Sequence, residues 1–334
     1  MNIRLIQCWL CALVLVSPLD NLVCAQTFEG PNDSSVNRTE IFSRYQKQPG
    51  VAGSITSVGS DTLANLMTSW SVEFRRLYPQ VKFQIQASGS STAPPALTEG
   101  TANIGPMSRE MKTSEISYFS RRHGYKPYAV KVGIDAIALF VDTNNPLEGL
   151  TKVQVDSIFS ATRFCGASKH AHIWNDVGVS GSYGSKPIKI FGRNSVSGTY
   201  GLFKHIALCD GDFKATVNEL PGSASVVQSV AFSNGAIGYA AYGHKTTAVK
   251  ALAIADQTGA FIPASSQTIA NGDYPFTRFL YLVVNKHPTD PLPLLEQEFL
   301  RFVLSDKGQQ IVQQEGYVGM PNETIQRQLK ALLN

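Results

Sequence analysis

Ile188-Lys189-Ile190-Phe191-Gly192-Arg193-Asn194-Ser195-Val196-Ser197-Gly198-Thr199 runs from an apolar strand through a polar loop to the start of a helix, whose apolar positions are Leu202, Phe203, Ile206 and Ala207. The same order occurs twice more. Gly59-Ser60-Asp61-Thr62 precedes the stripe Leu63, Leu66, Met67, Trp70, Phe74 and Leu77, whose helical period Pro79 ends. Gly89-Ser90-Ser91-Thr92 follows the alternating run Val81, Phe83, Ile85 and Ala87, and precedes Pro94 and Pro95, which suit a first helical turn. Strands that alternate with helices along the chain predict an α/β fold.

The composition of these loops has a direct chemical meaning. The first turn of a helix carries free N–H groups and a partial positive charge. Glycine lets the backbone approach an oxyanion, and Ser and Thr hydroxyls add donors, so such a terminus binds phosphate or sulfate without lysine. A single loop of this kind is equally a helix cap. Three of them, with Arg193 four residues before Ser197, point to one small anion. Arg109, in Ile104-Gly105-Pro106-Met107-Ser108-Arg109, is the other charged candidate. Either arginine can grip a tetrahedral oxyanion with parallel N–H bonds, or belong to an ordinary ion pair.

Further strands are expected at Val130 to Val141, Ala251 to Ala255 and Phe279 to Val284, and a helix at Thr151 to Phe159. Residues 165–187 read as a long loop, and Leu294 to Val303 and Asp306 to Gln314 as the closing helices. The chain has 334 residues, with 43% hydrophobic and 16% charged. That suggests two compact units, and it excludes collagenous and disordered classes. A net charge of +4 with no basic cluster argues against a nucleic-acid partner.

Residues 1–25 read as an export signal. Arg4 is the positive end, Leu5 to Val16 the apolar run, and Val23-Cys24-Ala25 a small-residue cleavage site before Gln26. Asp20 and Asn21 cut the run short of a membrane span, and a lipid anchor at Cys24 is the minor alternative. Residues 26–49 are polar and aperiodic, a flexible lead-in. Cys165 and Cys209 then remain as an even pair in an oxidising compartment, which favours a disulfide over two buried thiols. No cysteine or histidine cluster has metal-ligand spacing. His170 and His172 form at most a weak pair on a solvated loop.

Taken in order, Gly59-Ser60-Asp61-Thr62, Gly89-Ser90-Ser91, Ile104 to Arg109 and Arg193-x-x-x-Ser197-Gly198-Thr199 resemble the PstS-type periplasmic phosphate-binding proteins. Gly222-Ser223-Ala224-Ser225-Val226-Val227, Gly235-Ala236-Ile237-Gly238-Tyr239 and Tyr274-Pro275-Phe276-Thr277-Arg278 fit the same family, and the resemblance spans about residues 51 to 320. It implies a two-lobed type II periplasmic-binding-protein fold with the ligand in the cleft between lobes. Residues 50–134 and 277–334 would form the first lobe and 135–276 the second, with Val130–Val141 and Phe279–Val284 near a hinge and Gly133 a flexible point in it.

By position, the resemblance implies phosphate-binding roles for Thr62, Leu63, Ser90, Arg193, Ser197, Gly198 and Thr199, and Ser60, Ser91, Ser108, Arg109 and Asp135 are further phosphate-binding candidates. Some members carry an Asp in the third loop that accepts the ligand proton, and another two residues before Ser-Gly-Thr that orients the arginine. Here those places hold Ser108 with Arg109, and Ser195. Selection of phosphate over sulfate would then rest on Asp61, on Asp135, or on a different arrangement. Asp135 lies on an apolar strand, where an ionised carboxylate needs a partner.

The function this implies is capture of inorganic phosphate in the periplasm and delivery to an inner-membrane ABC permease, by a monomer with no cofactor, no metal and no catalytic residues. Alternatives are a secreted phosphoesterase on the same cradle, a receptor for sulfate or molybdate, and a phosphate sensor. The chain shows no convincing activated nucleophile for the first of these.

Overall fold

A computed structural model describes residues 45–333, so the expected export signal and all but the last residues of the expected lead-in lie outside the described residues. In chain order the first part contains β1 (Gly53–Val58), α1 (Ala64–Leu77), β2 (Val81–Gln86), α2 (Ala93–Thr98), β3 (Ile104–Met107), α3 (Thr113–His123) and β4 (Tyr128–Asp142). Then come β5 (Gly149–Leu150), α4 (Lys152–Phe159), α5 (Gly181–Gly184), β6 (Lys189–Arg193), α6 (Gly198–Leu208), β7 (Asn218–Leu220), α7 (Ser223–Ala231), β8 (Ala236–Ala241), β9 (Val249–Ala251), β10 (Ala253–Ala255) and β11 (Phe261–Ile262). The chain ends with α8 (Ser266–Ala270), β12 (Thr277–Val284), α9 (Leu294–Val303), α10 (Asp306–Gln314) and α11 (Asn322–Leu333).

The main sheet runs β2-β1-β3-β12-β4-β8-β6-β7, with β9 added beside β4. It has two halves of similar logic. β1 pairs in parallel with β2 and with β3, and β6 pairs in parallel with β7 and with β8. Parallel neighbours need a crossover, and α1, α2, α6 and α7 supply one each. β4 joins the halves. Tyr128 to Ala136 lie antiparallel to β12, and Ile137 to Val141 antiparallel to β8, so one strand crosses from one half-sheet into the other. From Val132 to Asp142 every β4 side chain is buried, which is why this stretch is almost uninterruptedly apolar. The pairing shifts register between Leu280 and Tyr281, so Val132 on β4 has no cross-strand partner in β12.

Two aromatic groups fill the halves. Phe74, Phe83, Phe299 and Phe302 pack with edge or tilted geometry beneath α1 and α9, and Trp70 is fully buried beside them. In the other half Phe203 stacks on Tyr239 at 4.0 Å between ring centroids. β5, β10 and β11 form a separate three-stranded sheet.

Several expectations need correction. Ala251 to Ala255 is not one strand: β9 joins β4 in the main sheet and β10 joins the small sheet, with Leu252 turned into the core between them. Residues 165–187 hold a 3-10 turn at Trp174–Val177 and α5, pinned by the buried Trp174, whose indole N–H donates to Gly235 O at 3.1 Å. A third helix, α11, follows α10 and buries Ile325 and Leu332. Tyr45 and Gln48, read as part of a flexible lead-in, are tied down: the Tyr45 hydroxyl donates to Glu298 at 2.8 Å, and Gln48 N donates to the Tyr78 hydroxyl at 2.9 Å. Among the described residues no helix is long and apolar enough to cross a membrane.

Candidate functional site

The three Gly/Ser/Thr loops all leave the C-terminal ends of parallel strands, the place where open α/β sheets bind ligands. β1 delivers Ser60, Asp61 and Thr62; β2 delivers Ser90 and Ser91; β3 delivers Ser108; β6 delivers Arg193 and the Ser197 cap of α6. The first three meet. The Ser60 hydroxyl donates to Ser108 Oγ at 3.1 Å, Ser90 Oγ lies 3.2 Å from Ser108 Oγ, and Ser108 N donates to Ser90 Oγ at 3.1 Å. Ser60, Ser90 and Ser108 are all buried.

The start of α6 faces this hydroxyl cluster. Ser197 Oγ accepts from Thr199 N at 3.1 Å, a cap that fixes the first turn. Thr199 Oγ1 lies 3.3 Å from Thr62 Oγ1, and Ser91 N donates to Val196 O at 3.1 Å, so the loops of the two half-sheets touch. Gly198 has to be glycine at this contact: a Cβ there would lie 2.4 Å from Ser90 Oγ and 2.8 Å from Ser108 Oγ.

Arg193 comes off β6 with 1% of its surface exposed. Its Nη1 donates to Ser223 Oγ at 2.8 Å and its Nη2 to Pro221 O at 2.8 Å, while Asp61 Oδ2 stands 3.2 Å from Nη2. Asp61 Oδ2 also accepts from Ser223 N at 3.0 Å. Burial lowers the arginine's pKa, with the Asp61 charge opposing that shift. The buried Nε–H has no partner. A guanidinium stays protonated in proteins and Nε is a donor only, so this atom is available to an acceptor such as an oxyanion.

A second buried arginine, Arg278 on β12, reaches the first turn of α6. Arg278 Nη2 and Nε lie 2.7 and 3.0 Å from Asp135 Oδ2, and Asp135 Oδ1 accepts from Tyr242 N at 3.1 Å. Arg278 Nη1 donates to Thr199 Oγ1 at 2.9 Å and to Ser108 O at 3.2 Å. Asp135 therefore has the basic partner that its apolar strand required, and that partner reaches two residues of the cradle. The sequence reading passed over Arg278 as a site residue. The signal that would have found it is the acid itself: a carboxylate on an apolar strand demands a buried base, and Arg278 is its direct cross-strand neighbour.

The remaining candidates are placed differently. Arg109 gives Nη1 and Nη2 to the two Glu115 oxygens at 2.8 and 2.7 Å, with Nη2 also 3.2 Å from Ser91 Oγ; it has no bond to Ser60, Ser90, Ser108 or Thr199. Ser91 is half-buried at the rim. Leu63 is packed in the core, its N–H given to Ser60 O at 3.2 Å. Thr62 is fixed from behind by Tyr317, whose hydroxyl donates to Thr62 O at 2.7 Å. A groove of about 770 Å³, with Ser91, Arg109, Ser197, Tyr200, Arg278 and Tyr281 among its lining residues, runs alongside the cradle. Outside the site, Cys165 and Cys209 form a disulfide that joins the loop after α4 to the end of α6.

The family model of a PBP superfamily domain matches residues 45–307. The phosphate-binding protein PstS of Pseudomonas aeruginosa is 57% identical over 289 residues, covering 86% of this chain and 90% of the relative. PstS of Staphylococcus epidermidis is 27% identical over 284 residues, covering 84% and 83%. Among solved structures, a candidate phosphate ABC transporter substrate-binding protein from Clostridium perfringens, with phosphate bound, superposes at a TM-score of 0.68 with 25% identity, covering 80% of this chain and all of that one. An ABC-type phosphate transport receptor from Vibrio cholerae shares the fold at a TM-score of 0.62, covering 80% and 100%, with 23% identity. With the domain model matched over most of its length, and this identity to PstS, the chain belongs to the PBP superfamily and within it to the PstS phosphate-binding proteins.

Proposed function

We propose that this chain captures inorganic phosphate in the periplasm, as a monomeric receptor without a catalytic step, and delivers it to an inner-membrane ABC permease. The observation that carries the reading is the cradle: a buried Arg193 with one unpartnered N–H, beside six buried hydroxyl residues from four loops at the C-terminal ends of parallel strands. Ser60, Thr62, Ser90, Ser108, Ser197 and Thr199 donate to the anion, Gly198 brings its backbone close, and Arg193 supplies the full charge. Asp61 orients Arg193. Ser91, Leu63 and Arg109 support the rim and the loop rather than the anion, and Asp135 acts through Arg278.

On this reading residues 50–134 and 277–334 form one lobe and 135–276 the other, with β4 and β12 as the crossing strands. The mature protein begins near Gln26. The relatives support the ligand and the transporter partner through what they are named for: phosphate-binding proteins, and a phosphate ABC transporter component.

The test is calorimetry on protein unfolded and refolded to strip endogenous ligand. Breaking one side of a buried charged pair typically costs about 3–5 kcal/mol. At ~1.4 kcal/mol per tenfold, Arg193→Ala is expected to weaken phosphate binding by about two to three decades. Arg193→Lys recovers only part, because an ammonium has no planar fork. Arg109→Ala is expected to stay within about tenfold of the parent, since that guanidinium is already committed to Glu115. Parent-like binding by Arg193→Ala would overturn the assignment.

A further inference from the structure

The charge of this chain is unevenly placed. It carries 29 basic and 25 acidic side chains, a net charge of +4. Residues 109–131 hold six of the bases, Arg109, Lys112, Arg121, Arg122, Lys126 and Lys131, against Glu110 and Glu115, so this segment alone matches the whole excess. It runs from the loop after β3 through α3 into the start of β4. Arg109 is neutralised by Glu115 at 2.7 Å. The other five have no carboxylate partner among the described residues, and all of them except Lys131 are exposed. The exposed acids Glu110 and Glu99 hold the hydroxyls of Tyr281 and Tyr118 instead, at 3.0 and 2.7 Å.

Local stability accounts for only part of this placement. Arg121 and Arg122 lie in the last turn of α3, where a cation complements the helix dipole. Lys112 is at the opposite end, the N-cap, where the dipole disfavours a cation, and Lys126 and Lys131 lie off the helix. These lysines border an apolar seat. A cavity of about 280 Å³ has Met111, Ile116, Pro127 and Val283 in its wall, with Lys126 and Lys131 beside them. It shares Arg109, Glu110 and Tyr281 with the groove that passes Ser91, Ser197 and Arg278 at the cradle, and Lys112 lines that groove. The basic face is therefore continuous with the opening beside the cradle.

We propose that this face, α3 with the start of β4, is the surface on which the inner-membrane permease docks, through an acidic periplasmic segment of the permease that brings an apolar side chain to the seat. A permease that receives phosphate has to cover the opening beside the cradle, and this face borders it. Unpaired cations around an apolar centre fit a partner of opposite charge, which they attract at a distance and hold in one register. The inference rests on the delivery reading above and names the surface that serves it.

The test is phosphate-dependent ATP hydrolysis by the cognate permease and its ATPase in phosphatidylcholine vesicles, titrated with the phosphate-loaded receptor at low salt. Arg121→Gln with Arg122→Gln and Lys126→Gln is compared with Lys82→Gln, Lys189→Gln and Lys307→Gln, which remove the same charge from exposed positions elsewhere. The first triple variant is expected to raise the half-saturating receptor concentration by at least about tenfold, and the difference is expected to shrink at ~1 M salt, where the screening length is about 3 Å. Its phosphate affinity by calorimetry is expected to stay within about twofold of the parent, since the three residues lie away from the cradle. The control triple is expected to match the parent. Should the first triple not fold, Lys126→Glu, a change at one exposed position, is read in the same way and is expected to move in the same direction. An unchanged half-saturating concentration overturns the inference, as does an equal loss in both triples, which would report net charge rather than a face. A loss that follows weaker phosphate binding assigns the patch to the ligand and also overturns it. Unchanged stimulation, with parent binding to phosphatidylglycerol vesicles that the first triple loses, assigns the face to the bilayer and overturns it too. A parent that binds phosphate but never stimulates the permease overturns the delivery reading and the inference together.

Discussion

Asp135 and Arg278 stand opposite each other in β4 and β12, both almost completely buried, with Arg278 also bonded to Thr199 and Ser108. Removing one member leaves the other charge without its partner in a dry interior. Arg278→Gln is therefore expected to lower stability by about 3–5 kcal/mol in urea unfolding, and Arg278→Gln with Asp135→Asn to recover much of that loss. If the double variant is as unstable as the single, the pair is not coupled. His244 gives a pH dependence at the same scale. Burial holds its imidazole below the ordinary histidine range, reinforced by Arg193 and opposed by Asp61 and Asp135. Because the folded pKa is the lower one, the unfolded chain binds more protons in the interval between the two values. The stability that neutral His244 contributes is complete above the unfolded value of ~6.5 and is lost as pH falls through the folded value. His244→Gln should flatten the fall in melting temperature below about pH 6.5; an unchanged slope would remove His244 as its source.

At the scale of elements, the start of α6 is the most constrained piece. In an open helix Ala replaces Gly with a gain of up to about 1 kcal/mol. At Gly198 the added methyl would strike the Ser90 side chain and Ser108 Oγ, so the helix start could no longer approach the hydroxyl cluster. Gly198→Ala is expected to keep its helical circular dichroism and lose at least about tenfold in phosphate affinity, since the N-terminal amides are no longer in place. Parent-like affinity would mean that the cradle is looser than these contacts imply. The other end of α6 is held by Cys165–Cys209, which closes a separation of 44 residues. Such a link mainly restricts the unfolded chain and typically contributes about 2–4 kcal/mol. Reduction, or Cys165→Ser with Cys209→Ser, should lower the unfolding midpoint accordingly, read in denaturant with and without reductant.

For the whole molecule, the loops of the two half-sheets touch through Thr62 and Thr199, Ser91 and Val196, and Asp61 with Ser223. If the halves are lobes that part to admit the anion, ligand should hold them together. A ligand that binds only the native state stabilises it by RT ln(1 + [L]/Kd), about 2.7 kcal/mol at a hundredfold excess. Saturating phosphate is expected to raise the melting temperature of stripped protein and reduce its radius of gyration in solution scattering. A higher melting temperature with an unchanged radius would mean that the anion enters without lobe movement.

The sequence alone determined what depends on neighbours within a turn or two. The strand-loop-helix units could be read because glycine, serine and threonine at a helix start act on the backbone beside them, as the Ser197 cap of Thr199 N does. The Cys165–Cys209 pairing followed from parity once Cys8, Cys11 and Cys24, in the expected export signal, were set aside. Tertiary structure alone decided which charges meet. Arg193 and Arg109 each follow a strand and look alike in the chain; Glu115 claims one and Asp61 orients the other. Asp135 and Arg278 are 143 residues apart, and the register of β4 against β12 puts them face to face, where a slip of one residue would turn each to the other side of the sheet. The meeting of Ser60, Ser90 and Ser108 depends in the same way on the order β2-β1-β3, which brings three loops distant in the chain to one edge. Local patterns encode backbone conformation, whereas the contacts between loops are fixed by strand order and register, and those are set only when the whole core packs.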